Sequence, residues 1–84
     1  MELNYDPLNR FGRHLAALRR AKGVSQERLA LESGLARSYL SGIERGLRNV
    51  SLMNICILAE ALQFPPARLL EFSTGPDDAG DDVR

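Results

Sequence analysis

The feature that most constrains the fold is a pair of short helical segments separated by one glycine, Gly34. Ser25 is a residue type that caps helix N-termini, and Gly46 is a residue type that follows helix C-termini. The helices are therefore expected over Gln26 to Ser33 and from about Ala36 to Arg45. An apolar set recurs at helical spacing through both of them: Leu29, Ala30, Leu31, Leu35, Leu40 and Ile43. A turn this tight holds the helices at a steep angle, which leaves one face of the second helix outside the core.

The flanking sequence continues the helical pattern. Asp6 and the proline after it form a helix start, with a capping aspartate and a proline in the first turn, and Gly23 ends this first helix. Ser51 caps a fourth helix that runs through Leu62, and the sequence Phe-Pro-Pro then starts a short fifth helix through about Phe72. Because no segment shows the alternation typical of a β-strand, we expect an all-α domain of five helices.

The length of 84 residues suffices for one small domain, which we place at residues 1–72. Residues 73–84 are small and acidic, contain glycine and proline, and predict a disordered tail. The single cysteine, Cys56, excludes an internal disulfide. The N-terminal residues do not resemble a signal peptide, and no stretch approaches the roughly 20 apolar residues of a membrane helix. These features predict a cytoplasmic location.

The net charge of zero conceals two oppositely charged parts of the chain. Residues 10–48 include nine basic and three acidic residues, a net charge of +6, while the rest of the chain carries −6. A basic segment that coincides with the two short helices is typical of nucleic-acid binding. Solvated helix faces are the alternative interpretation, and Arg10, Arg13 and Arg20 are interpreted as solvent-exposed charges of that kind. A phosphate contact from Arg10 or Arg13 stays open as the alternative.

The two short helices fit a helix-turn-helix motif over residues 25–46. In this motif the second helix lies in the major groove of DNA, while the first crosses the DNA backbone. The residues of the second helix that a core does not need are Arg37, Ser38, Ser41 and Gly42. Arginine can pair with guanine through two hydrogen bonds, and serine can donate or accept at several bases. The sequence therefore predicts base recognition centred on Arg37.

The stretch LRRAKGVSQERLALESGLARSYLSGIERG, followed by NVSLMNICILAEAL, resembles the phage repressor and Cro class of helix-turn-helix proteins, also called the XRE family. The resemblance covers residues 18–62. It implies a lambda-repressor-like fold and a transcriptional regulator that binds a pseudo-palindromic operator as a homodimer. Within the class, the run SYLSGIERGLRNVS is most similar to the controller proteins of restriction–modification systems.

The resemblance also implies roles for individual residues. The implied base contacts are Gln26, Ala36, Arg37, Ser38 and Ser41. The implied phosphate contacts are Gln26, Arg45, Arg48 and Asn49, to which the hydroxyl of Tyr39 is added as a further candidate. Arg19 and Glu44 match a pair of residues that forms a buried ion pair between the first and third helices.

Gly42 departs from many members of the class, which carry a long polar side chain at this position. A glycine inside a helix costs about 1 kcal/mol relative to alanine, so its presence needs an explanation. Two explanations remain open. The backbone here approaches DNA or another helix closely, or the position tolerates glycine without a role.

The fourth helix is apolar on nearly all sides, with Asn54 and Glu60 as its polar residues. Such a helix must be covered on more than one side. We expect a second copy of the chain to cover it, and the expected interface residues are Met53, Ile57, Phe64, Leu69 and Phe72. Coverage by the fifth helix alone is the alternative. Cys56 is expected in the core or at this interface.

Candidate catalytic residues are scarce, since His14 and Cys56 are far apart in the sequence and predict neither a metal site nor a catalytic dyad. We therefore expect no enzyme, no metal and no cofactor. The expected partners are double-stranded DNA, a second copy of the chain and RNA polymerase, but no membrane. Two alternatives on the same fold stay open: a protein-interaction module whose DNA face is idle, and an antitoxin that binds both DNA and a toxin.

Overall fold

The computed structural model of the chain describes residues 1–76, which contain five helices and no strand. The helices are α1 Pro7–Ala21, α2 Gln26–Ser33, α3 Arg37–Glu44, α4 Leu52–Leu62 and α5 Pro66–Leu69. The predicted all-α class is confirmed. The fifth helix is shorter than expected, because it ends at Leu69 rather than about Phe72. The chain leaves helical geometry after one turn, and the Phe72 ring packs against the core instead.

The three residues predicted to cap helices do so in the structure. Asp6 accepts a hydrogen bond from the Leu8 amide at 3.0 Å at the start of α1. The hydroxyl oxygens of Ser25 and Ser51 accept from the amides three residues later, at 3.0 and 3.1 Å, and begin α2 and α4. Each cap satisfies a backbone donor that has no partner within its helix, which fixes where these helices begin.

The turn between α2 and α3 depends on Gly34. Its φ angle of +77° is in the left-handed region that favours glycine, and its amide donates to the carbonyl of Ala30 at 2.9 Å. The Ser33 hydroxyl accepts from the Leu35 amide at 3.3 Å and fixes the next residue. The chain thus ends α2 and starts α3 within three residues, as the sequence predicts.

One core lies between the helices, and α2 and α3 both contribute to it. Its buried apolar residues are Phe11, Leu15, Leu18, Leu29, Ala30, Leu40, Ile43, Leu58, Ala59, Leu62 and Leu69. Leu35 packs against this core and is half-buried. The expectation that Leu31 extends the apolar face of α2 is wrong, because its side chain is 78% exposed. Leu29 and Ala30 already fill the core-facing side, and the next residue turns outward.

Arg10 is not the solvent-exposed charge that the sequence suggested. The residue is buried, and its guanidinium donates hydrogen bonds to the backbone carbonyls of Ser73 and Gly75. It also lies 5.7 Å from the centre of the Tyr5 ring. Arg10 thereby ties α1 to the chain after α5. Of the predicted acidic tail, residues 77–84 lie outside the described residues.

A second link joins α1 to α5. The Nε2 atom of His14 lies 2.8 Å from the carbonyl oxygen of Arg68 and can donate to it. His14 therefore helps to hold α5 against α1. Among residues 1–76, no cluster of three or more histidine, cysteine, aspartate or glutamate residues is arranged to hold a metal ion. Within the same range, each helix is too short or too polar to cross a membrane.

Candidate nucleic-acid interface

The outer face of α3 is polar and exposed, while its inner face is part of the core. Leu40 and Ile43 are completely buried. Arg37 and Ser38 are exposed, and Ser41, one turn after Arg37, is half-buried. Helical periodicity puts these three residues on one side of α3. Ala36, the predicted base-contacting residue that immediately precedes the helix, is also exposed. The structure therefore brings the predicted α3 residues together on one surface.

A buried ion pair fixes the end of α3 against α1. The Arg19 Nε atom donates to Glu44 Oε2 at 2.7 Å, and a second guanidinium nitrogen donates to Oε1 at 3.1 Å. The third nitrogen donates to the Val24 carbonyl at 2.7 Å. Both side chains are less than one tenth exposed. Two parallel hydrogen bonds fix orientation as well as distance, so this pair helps to fix how the end of α3 is oriented against α1.

Gln26 is joined to the same ion pair. Its amide nitrogen donates to Glu44 Oε1 at 2.8 Å, and the residue is half-buried. The amide therefore has a protein partner in the unbound chain. An amide NH₂ has two hydrogens and its carbonyl oxygen accepts, so one N–H and the oxygen can still serve a ligand. Gln26 lies at the first turn of α2, on the side that meets the end of α3.

Close packing of α1 on α3 depends on Gly12, which the sequence reasoning did not single out. A Cβ atom at this position would lie 2.3 Å from the Ile43 carbonyl oxygen and 2.7 Å from that of Glu44. Those oxygens are backbone atoms, so a side chain cannot be accommodated without moving a helix. A glycine inside a predicted helix was the available signal, because glycine is unfavourable there unless close packing requires it.

The loop after α3 presents the remaining predicted contacts. Arg45, Arg48 and Asn49 are all exposed. The Arg48 side chain lies across Gly42: a Cβ built at Gly42 would be 3.0 Å from Arg48 Cγ and 3.3 Å from its Nε. The explanation that Gly42 allows close approach to another helix is therefore wrong, because the nearest atoms belong to a side chain of the following loop.

Tyr39 has both a core side and a polar side. The ring packs against the core, and the guanidinium carbon of Arg48 lies 6.0 Å from its centre. The side-chain nitrogen of Asn54 donates to the Tyr39 hydroxyl oxygen at 3.0 Å. With an acceptor position occupied in this way, the hydroxyl proton can point to another acceptor. This hydrogen bond of Asn54 could not be predicted from the sequence, because its partner is 15 residues away on another helix.

A second surface, which we term the α4 surface, is apolar. Leu52 and Met53 are 72% and 69% exposed, and Cys56, one turn further along, is also exposed. Of the two places expected for Cys56, the core is therefore wrong, and the interface stays a prediction. Ile57, Phe64 and Phe72 are half-buried, and Leu70 is 48% exposed. Leu69 is completely buried in the core, so its predicted place in an interface is also wrong. The one-turn α5 turns Leu69 inward and Leu70 outward.

Comparison with known sequences identifies related proteins. The helix-turn-helix family model matches residues 15–69. Control protein C.BamHI of Bacillus amyloliquefaciens is 49% identical over 65 residues, which span 76% of this chain and 80% of that protein. Control protein C.SmaI of Serratia marcescens is 42% identical over 57 residues, 68% of each chain. The residues that the family model matches include all of α2, α3 and α4.

Solved structures agree with the sequence comparison. The restriction-modification controller protein C.AhdI from Aeromonas hydrophila matches with a TM-score of 0.75 and 58% identity, over 77% of this chain and 98% of that one. The biofilm regulator SinR, solved in complex with DNA, matches with a TM-score of 0.69 and 35% identity, over 73% of this chain and 98% of that one. The fold and the arrangement of α2 and α3 are thus shared with these proteins.

Proposed function

This chain belongs to the helix-turn-helix family of DNA-binding transcriptional regulators, and we propose that it binds a pseudo-palindromic operator as a homodimer. We also propose that it is a controller protein of a restriction–modification system, because C.AhdI is described as a restriction-modification controller protein and C.BamHI as a control protein. The observation that carries the DNA-binding proposal is the exposed polar face of α3. That face is held above a fully buried apolar face by the Arg19–Glu44 pair.

Sequence choice is assigned to the start and middle of α3. Arg37 is exposed at the first turn of the helix, where recognition helices place base-contacting residues. Its guanidinium can donate two hydrogen bonds to one guanine. Ser38 and Ser41 supply hydroxyl groups beside it, and Ala36 supplies a methyl group that can contact thymine. Gln26 adds the part of its amide that Glu44 does not use.

Affinity is assigned mainly to phosphate contacts around this face. Arg45, Arg48 and Asn49 follow the end of α3 and are exposed, and the Arg48 guanidinium carbon lies 6.0 Å from the centre of the Tyr39 ring, whose hydroxyl is the further candidate. Each phosphate that is neutralised releases counterions, so the slope of log affinity against log salt should change by about −0.9 per phosphate. Arg10 and Arg19 take no part, because both are buried in packing contacts.

The second copy is proposed to cover the α4 surface. Leu52, Met53 and Cys56 share one side of α4 by helical periodicity, and all three are exposed in the single chain. Ile57, Phe64 and Phe72, which are half-buried, and the exposed Leu70 are proposed as further residues of the interface. Binding of both half-sites requires that the two copies of α3 in this dimer lie about 34–36 Å apart, one turn of DNA. The dimer would regulate by blocking or recruiting RNA polymerase, and the predicted cytoplasmic location stays part of this proposal.

Selection of bound sequences from a random DNA pool tests the proposal. The expected result is a palindrome whose half-sites are centred about 10 base pairs apart, with a protein–DNA ratio of two chains to one site. Arg37→Ala should relax the preference at one position in each half-site. A chain that enriches no sequence, and that binds no DNA even at low salt, would instead support the interaction module. Co-purification of a toxin would support the antitoxin.

The oligomeric state is tested separately by sedimentation at tens of micromolar protein. The wild-type chain should sediment as a dimer, and Met53→Glu should shift it to a monomer by burying a charge at the proposed interface. Leu31→Glu is the matched control, because Leu31 is also largely exposed, 78% against 69% for Met53, but lies on α2. A wild-type chain that remains monomeric would contradict the homodimer without affecting the family assignment.

A further inference from the structure

The Arg48 side chain covers α3 at Gly42, where the helix carries no side chain of its own. Gly42 is buried whereas its neighbour Ser41 is half-buried, and it is four residues after the exposed Ser38, so it adjoins Ser38 on the helix surface. The atoms that cover it are the Arg48 methylene groups and Nε, 3.0–3.7 Å from where a Cβ would be. The loop is also bonded to this point, because the Leu47 amide donates to the Gly42 carbonyl at 2.9 Å.

The Arg48 side chain is bounded on a second side. Its guanidinium carbon lies 6.0 Å from the centre of the Tyr39 ring, within the range of a cation–π contact. The Tyr39 hydroxyl is in turn held by Asn54. Arg48 therefore lies between a bare stretch of α3 and a fixed aromatic ring, while remaining exposed on its outer side. A long side chain held in this way loses less conformational entropy when it binds than one that moves freely.

We propose that Gly42 is a positioning residue for DNA recognition. Because position 42 carries no side chain, the loop residue Arg48 lies across α3 and occupies the surface that a side chain at 42 would take. Arg48 thus belongs to the recognition surface together with Arg37 and Ser38, instead of reaching the DNA from a separate loop. This inference rests on the proposed DNA-binding function. It gives a reason for glycine at position 42, where many members of the class carry a long polar side chain.

A substitution at Gly42 separates this role from folding. The nearest atoms to an added methyl group belong to a flexible side chain and not to backbone, so Arg48 can move aside without disturbing the helices. Alanine is also the better helix former. Gly42→Ala should therefore fold at least as well as the wild-type chain while displacing the Arg48 guanidinium.

A double-mutant cycle on the selected operator tests the proposal. Affinities of the wild-type chain, Gly42→Ala, Arg48→Ala and the double variant are measured by fluorescence anisotropy at one salt concentration. Gly42→Ala and Arg48→Ala should each weaken operator binding, by about tenfold if one specific contact is lost. The double variant should bind no more weakly than Arg48→Ala alone, because Gly42 acts through Arg48.

Arg45→Ala is the matched control, since Arg45 is an exposed arginine at the start of the same loop and is not among the atoms nearest to Gly42. Its effect should add to that of Gly42→Ala. Wild-type affinity in Gly42→Ala overturns the proposal, and so does an equal loss in the presence and absence of Arg48. The latter result would mean that the methyl group meets DNA directly. A wild-type chain that selects no DNA sequence overturns this inference together with the proposed function.

Discussion

The inner and outer sides of α3 each depend on a helix-interior glycine, Gly12 of α1 on the inner side and Gly42 on the outer side. A Cβ at Gly12 would meet the Ile43 carbonyl oxygen at 2.3 Å, and that atom belongs to a helix backbone. A Cβ at Gly42 would meet the Arg48 side chain at 3.0 Å, and that chain can rotate away. The same residue type therefore serves two needs: one glycine allows two helices to touch, and the other makes room for a side chain.

This difference separates the contacts that hold α3 in place from the side chains that α3 exposes for binding. The inner side combines a close backbone contact with the buried Arg19–Glu44 pair, so changes there should lower the free energy of unfolding. The outer side consists of exposed side chains, so changes there should alter DNA binding at nearly constant stability. The following predictions test this separation and run from the largest to the smallest expected change in the free energy of unfolding.

Glu44→Ala should have the largest effect, a loss of about 3–5 kcal/mol, because it leaves the buried Arg19 guanidinium without its counter-charge. Urea denaturation followed by circular dichroism measures the loss. The control is Glu32→Ala, which removes an exposed i,i+4 pair with Arg28 of the same 2.7 Å length. Its cost should be no more than about 0.5 kcal/mol. Equal losses in the two variants would contradict the role of burial.

Gly12→Ala should destabilise the chain by about 1–3 kcal/mol, although alanine is the better helix former, because the added methyl group overlaps backbone atoms of α3. Thermal unfolding at matched protein concentration measures the change. A variant with wild-type stability would show that α1 and α3 can separate by the required distance at no cost. The packing of α1 on the inner side of α3 would then not be rigid.

Much of the fold is readable from the sequence because its signals are local. Asp6, Ser25 and Ser51 cap their own helices, and Gly34 makes its own turn. The core-facing residues of α2 and α3 follow from helical periodicity, with Leu31 as the exception. The exposed face of α3 follows from the same pattern, since residues that periodicity excludes from the core remain outside it.

The parts that could not be predicted depend on contacts between distant segments. Arg10 resembles any surface arginine in the sequence, but its partners are the carbonyls of Ser73 and Gly75. Leu69 and Leu70 are adjacent residues of the same type, and the geometry of the four-residue α5 decides which one is buried. The Arg19–Glu44 pair was expected from family resemblance alone, because 25 residues separate the two in sequence.

Gly42→Ala should raise the free energy of unfolding by up to about 1 kcal/mol, the opposite direction to Gly12→Ala. The gain comes from helix propensity, because the displaced Arg48 atoms are part of an exposed, flexible side chain. Comparing the two glycine variants in one urea series sharpens the contrast between the two sides of α3. A loss of stability similar to that of Gly12→Ala would mean that Arg48 is part of the inner framework.

Arg37→Ala should change the free energy of unfolding least, by no more than about 0.5 kcal/mol, because the side chain is exposed and makes no contact that α3 needs for packing. Its effect should appear in binding instead, as a loss of about 1–3 kcal/mol of discrimination at one base position of each half-site. Operator variants changed at single positions, measured against both chains, locate that position. A uniform loss across all operators would assign Arg37 to phosphate binding, and sequence choice would then lie with the serines and with Arg48.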